Sequence, residues 1–218
     1  MTRVQSLLRA AASLAVSAAL LGVLCPSAEA VTSEDTTSFE VKAGTLSLST
    51  APAMPALSAV TLNGSAQTTH TEMTNFAVKD ATGSGSGWRV TVSGLTGAGN
   101  SAVFKQYCPE AKCSTDSGPG YISSGYELPA KSLTLNSTSA KFNPSAEAPT
   151  FTCGSGCFVD NGSAEKIVSA AEKNGLGIFT TEAWGANSLA LATPGTLHLL
   201  LEKEVYRINL VWTLLSGP

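Results

Sequence analysis

Charge is scarce in this chain: only 13% of its 218 residues are Asp, Glu, Lys or Arg. No basic stripe stands out, which argues against nucleic acid or an anionic membrane surface as a partner. Only two histidines are present, His70 and His198. His198 lies in the apolar run His198-Leu199-Leu200-Leu201, which reads as a strand, and His70 sits among threonines without an adjacent acid or thiol. There is no Gly-x-Ser-x-Gly elbow, no His-Glu-x-x-His and no phosphate loop ending in Gly-Lys-Ser/Thr, so the common hydrolase, zinc-protease and nucleotide signatures are missing. Asp80, Asp116 and Asp160 stand apart, without calcium-loop spacing. Glu202 and Glu204 are two apart, so on a strand they share a side; they read as a solvated face rather than as a glycosidase pair set across a cleft. The expectation is a protein that performs no chemistry and needs no cofactor or metal.

Long apolar runs are also lacking. Residues 10–24 are uncharged and dominated by Leu, Ala and Val, but fall short of the ~20 residues that span a bilayer. Arg3 and Arg9 precede this run, Pro26 breaks it, and Ala28-Glu29-Ala30 follows with small residues where a signal peptidase reads. The division expected is a signal peptide over 1–30, cleaved after Ala30, and a secreted chain over 31–218 with no membrane span. Lipid attachment at Cys25 is disfavoured because Leu24 stands where a small residue is needed. Losing Arg3, Arg9 and Glu29 turns a formal net charge of −3 into about −4, an acidity too mild to name a partner.

Four cysteines remain, Cys108, Cys113, Cys153 and Cys157. An even number in an exported chain reads as disulfides. Three pairings are possible, and the short spacings favour Cys108–Cys113 and Cys153–Cys157. Zinc would need the two pairs to converge on one ion, usually with two residues between cysteines, and these spacings are longer.

What is abundant is Ser, Thr, Gly and Ala. Period-two alternation recurs at Leu46-Ser47-Leu48, Trp88-Arg89-Val90-Thr91-Val92, Leu133-Thr134-Leu135 and Tyr206-Arg207-Ile208-Asn209-Leu210. Turn chemistry separates these runs, at Asn63-Gly64, residues 83–87, residues 97–100, Gly118-Pro119-Gly120 and Pro194-Gly195. Short strands at such intervals predict an all-β sandwich or barrel-like domain. One segment, residues 163–173, lacks alternation and is rich in helix formers, which predicts a short surface helix capped by Asn161 or Ser163, with Ile167, Val168 and Ala171 facing the core. The stretch from about residue 100 to 130 is too long for an ordinary turn. Its Tyr107, Tyr121 and Tyr126 suit either a binding surface or the cover of a sheet edge. Sequons at Asn63, Asn136 and Asn161 are unremarkable in so Ser/Thr-rich a chain.

Two tryptophan motifs remain. Gly87-Trp88-Arg89-Val90-Thr91-Val92-Ser93 follows a glycine-rich turn, and residues 206–218 run from Tyr206 through Trp212-Thr213-Leu214 to Pro218. With Gly44-Thr45-Leu46-Ser47-Leu48-Ser49 and Gly175-Leu176-Gly177-Ile178-Phe179, they resemble the WxL family of cell-wall-binding surface proteins over most of the chain, from about Phe39 to Pro218. In the first motif Val90 replaces the leucine. The resemblance implies non-covalent attachment to peptidoglycan or another wall polymer, assisted in some members by companion surface or membrane-anchored proteins. Its binding motifs carry over to Trp88, Arg89, Val90 and Trp212, Thr213, Leu214. Alternation alone gives a different emphasis. Trp88, Val90 and Val92 share a face, as do Leu210, Trp212 and Leu214, the pattern of core residues. Trp184, outside any alternation, is the better candidate for an exposed aromatic. An adhesion or assembly subunit that binds another surface protein is the alternative function.

Overall fold

The computed structural model describes residues 37–111, 113, 119–201 and 203–218. The expected signal peptide, Asp116 and Glu202 lie outside the described residues. Within Val41–Pro218, which packs as one compact unit, the first five strands are Leu46–Thr50 (β1), Gln67–Thr71 (β2), Ala77–Asp80 (β3), Trp88–Gly94 (β4) and Lys105–Cys108 (β5). Five short ones follow: Gly120–Tyr121 (β6), Leu133–Leu135 (β7), Lys141–Asn143 (β8), Thr150–Phe151 (β9) and Cys157–Phe158 (β10). The last are Glu165–Ala170 (β11), Gly177–Glu182 (β12), Leu189–Thr193 (β13), Val205–Arg207 (β14) and Leu210–Ser216 (β15).

These strands form four antiparallel sheets. Sheet I has the order β1-β3-β12-β8, sheet II β10-β7-β13-β2, sheet III β15-β4-β11-β9 and sheet IV β14-β5-β6. Neighbours within a sheet are mostly distant in sequence, so every sheet is closed by long-range pairing rather than by local hairpins. The faces turned inward merge in one apolar core. Phe76 and Val78 enter it from sheet I and the segment before it, Leu133, Leu135 and Leu189 from sheet II, and Trp88, Val90, Val92 and Ile167 from sheet III. Burying side chains of this size contributes ~2 kcal/mol each. A small satellite of Cys108, Cys113 and Ile122 lies with sheet IV.

At β4 Trp88, Val90 and Val92 are fully buried and Arg89 and Ser93 reach solvent as expected, while Thr91, on the outward side of this central strand, is buried as well. The expected helix is not formed, and no helix occurs among the described residues. Instead β11 lies between β4 and β9. Its register slips by one residue between Lys166 and Val168, a β-bulge that lets the neighbours Ile167 and Val168 both point inward. That slip removes the period of two by which a strand is recognised. β-branched Ile167 and Val168 favour the extended form, and two partner strands supply the backbone hydrogen bonds. Ala171, expected in the core, is exposed.

The run 206–210 is likewise two strands. β14 ends at Arg207 in sheet IV, and after Ile208 and Asn209 the chain enters sheet III as β15. Both disulfides pair as the spacing favoured, Cys108–Cys113 and Cys153–Cys157. All three sequon asparagines close Asx turns: Asn63 accepts from the Ser65 N–H, Asn136 from Thr138 and Asn161 from Ser163, at 2.8–2.9 Å.

Candidate functional site

The two tryptophan motifs lie on neighbouring antiparallel strands. β15 pairs with β4 so that Trp212 faces Val92, Leu214 faces Val90 and Ser216 faces Trp88. Residues two apart on a strand share a face, so in Trp-x-Leu the first and third residues point inward together and the middle one points out. Arg89 and Thr213 are the outward members. Thr213 is exposed, and the Arg89 guanidinium turns along the sheet to donate to the carbonyl oxygens of Gly217 at 3.0 Å and Pro218 at 3.1 Å. Arg89 thereby clasps the segment that follows β15.

The motifs differ in depth. Strand β4 is flanked on both sides and Trp88 is completely buried, its indole N–H bonded to the Gly175 carbonyl at 2.9 Å. Strand β15 is the sheet edge, so Trp212 and Leu214 are only half-buried. The Trp212 ring rests against Phe76, with centroids 5.9 Å apart. Its other surroundings form a groove with Pro52, Met54, Pro55 and Leu57 on one side and Ile208 and Leu210 on the other. The Pro52–Leu57 side is a strap without regular structure between β1 and β2. Two prolines within four residues hold such a segment extended and remove backbone donors, which suits a strap. That proline pair is the sequence signal for the groove wall.

Leu57 and Tyr206 also border a second depression, which continues past Phe104 and Leu191 to His198 and Leu199. The Tyr206 hydroxyl donates to the His198 carbonyl at 3.0 Å, and burial raises its pKa. His198 stands in an exposed segment without regular structure, not in a strand, with its ring stacked on Tyr126 at 3.9 Å. His70 is exposed on β2 opposite Ala190. Glu204 is buried and accepts a 2.6 Å bond from Gln106, so it is not a solvated strand residue.

Trp184 is buried at 4% exposure, contrary to the expectation of an exposed aromatic. Its ring joins Phe76 at 6.5 Å and Phe151 at 5.3 Å, and its N–H donates to the Thr181 hydroxyl at 3.3 Å. The sequence gives no alternation there because Trp184 follows β12 rather than lying within it; Ala183, at φ 56°, makes the turn. The three candidate tryptophans are thus brought to three environments: Trp88 and Trp184 in the interior, and Trp212 on a groove.

A family model described as "WxL domain surface cell wall-binding" matches residues 31–218. The chain belongs to this WxL family, a family of cell-wall-binding domains and not of enzymes. No curated protein and no solved structure matches this chain.

Proposed function

We propose that the chain is exported through the leader at 1–30 and holds to peptidoglycan non-covalently, with Trp212 as the motif residue that meets the polymer. The observation that carries this reading is the unequal depth of the two motifs. Trp88 and Val90 are sealed and serve the fold, whereas Trp212 keeps part of its indole open on a groove. An indole face beside prolines and aliphatic side chains suits the apolar face of a sugar ring or a peptide methyl group. The family match begins at residue 31, directly after the expected cleavage point, which supports export. Incubation of the mature protein with purified, protein-free sacculi tests the reading: retention in the pellet is expected, and its absence overturns wall binding.

A second reading, docking to another surface protein, is favoured by one observation. Leu199 is 83% exposed, Leu201 55% and Val205 46%, all near the second depression, and apolar exposure of this kind is a feature of protein contacts. Replacement of Leu199 and Leu201 by Asp separates the readings. Unchanged retention on bare sacculi supports direct wall binding, whereas loss of retention only where wall proteins are present supports docking.

A further inference from the structure

Sheet IV has an outward face that neither motif explains. Across its three strands Tyr107 pairs with both Val205 and Tyr121, and Lys105 pairs with Arg207. The period of a strand puts these five side chains on one side, while Gln106 and Cys108 on the same β5 are buried on the other. Arg207 lies over the Tyr107 ring, its guanidinium carbon 4.4 Å from the centroid. Tyr121 meets the same ring edge-on at 5.0 Å and 71°, and donates its hydroxyl to Asn209. Burial pushes the Tyr121 hydroxyl pKa up and the nearby Arg207 charge pulls it back. The ring pair and the Asn209 bond fix the platform on which the guanidinium rests.

The charges on and beside this sheet are unevenly satisfied. Lys105 is 3.7 Å from Glu127 and also donates to the Ser123 carbonyl at 3.1 Å; Lys203 pairs with Glu110 at 3.0 Å. Glu204 is engaged by Gln106. Among the described residues no hydrogen bond or carboxylate engages the Arg207 guanidinium, although it is exposed and held flat by a ring. A planar guanidinium fixed by stacking presents paired N–H donors that match a planar carboxylate. In a chain of net negative charge, such a cation is a local exception that favours an anion.

We propose that the outward face of sheet IV is a second contact for peptidoglycan, in which Arg207 takes a carboxylate of the peptide stem and Tyr107 and Tyr121 supply the apolar wall beside it. This rests on the wall-binding reading but names a different chemical group, on a face that adjoins the Trp212 groove, which Val205 and Arg207 also line. The acidic function is the stem carboxylate rather than a wall phosphate, because the carboxylate belongs to peptidoglycan itself.

The test uses a soluble muropeptide, a disaccharide carrying a tetrapeptide with free carboxylates, titrated into the mature protein and followed by NMR. Resonances of Tyr107, Tyr121 and Arg207 are expected to shift. Arg207→Gln is expected to weaken binding about tenfold, the scale of one charge-assisted hydrogen bond. Arg207→Lys should recover only part of this, and added salt should weaken the wild type more than Arg207→Gln. Because the side chain is exposed, both variants should melt with the wild type. Amidating the muropeptide carboxylates should weaken wild-type binding as Arg207→Gln does; equal affinity for the amidated form overturns the proposal. So does a shift of these resonances by a glycerol-phosphate polymer and not by the muropeptide. If the wild type is retained on sacculi and Arg207→Gln binds the muropeptide equally well, this site fails and the wall-binding reading stands. If the wild type holds neither sacculi nor muropeptide, both fail.

Discussion

The indole N–H of Trp88 donates to the carbonyl of Gly175 at 2.9 Å, joining the start of β4 to the turn between β11 and β12. Gly175 has φ 77°, and a Cβ there would lie 2.5 Å from the Ala170 Cβ and 2.7 Å from the Trp88 Nε1. Gly175→Ala is therefore expected to destabilise by at least about 2 kcal/mol, through the left-handed backbone and the clash together. Trp88→Phe, which leaves the Gly175 carbonyl without its donor, is expected to cost about 2 kcal/mol or more, including the smaller ring. Chemical denaturation measures both; a loss under ~0.5 kcal/mol for either would show that the pair is not a fixed part of the core.

Trp212 differs because one side of its ring lies on a groove. Trp212→Ala should weaken retention on sacculi by tenfold or more while the chain still melts cooperatively, since the lost packing is chiefly against Phe76 and the strap. Trp88→Ala should instead lose the cooperative melt. If Trp212→Ala loses retention and cooperative melting together, the residue belongs to the core and the groove reading is wrong.

Asp160 is buried, and its Oδ2 accepts the Ser132 N–H at 2.7 Å. Burial raises its pKa above the ordinary carboxylate value, and backbone N–H groups, that of Leu133 foremost, oppose the rise. The folded state therefore holds this proton more tightly than the unfolded state. The stability it contributes is fully present below the unfolded pKa, about 4, and is lost as pH rises through the higher folded value. Asp160→Asn cannot titrate, so the melting temperature of the wild type minus that of the variant should fall as pH is raised from about 4 to 7. A difference that stays constant or grows refutes the assignment.

The Cys153–Cys157 disulfide closes a loop of sequence separation 4. Loop-closure entropy gives so short a clip about 2 kcal/mol, so the Cys153→Ser, Cys157→Ser double variant should lose that much in denaturant melts. Cys153 is in the core and Cys157 packs against it, so lost packing should add to this figure, and a loss well under about 2 kcal/mol would refute the loop-closure account.

Much of this fold was legible because alternation is a local property. Leu46-Ser47-Leu48, Trp88 to Val92 and Leu133-Thr134-Leu135 become β1, β4 and β7 with the faces that the pattern implied. Reading failed where the pattern is broken by something remote. The slip at Lys166 and Val168 exists only relative to β4, so residues 163–173 on their own resemble a helix. The run at 206–210 keeps its alternation while the chain passes from sheet IV to sheet III. Of the site, the motifs were visible, but the strap at Pro52–Leu57 and the pairing of Arg207 with Tyr107 are contacts between distant segments.

The sequence by itself determined that the chain is all-β and belongs to a wall-binding family, and it favoured the two disulfide pairings. Period two, turn residues and cysteine spacing act over a few residues and need no partner. Only the tertiary structure decided which tryptophan stays open. Trp88 and Trp212 have the same local pattern, an indole two residues before an aliphatic side chain on the same face. Their difference comes from sheet order, because β4 is covered on both sides and β15 is an edge. The expectation for Trp184 failed for the same reason, since Phe76 and Phe151, which seal it, are distant in sequence.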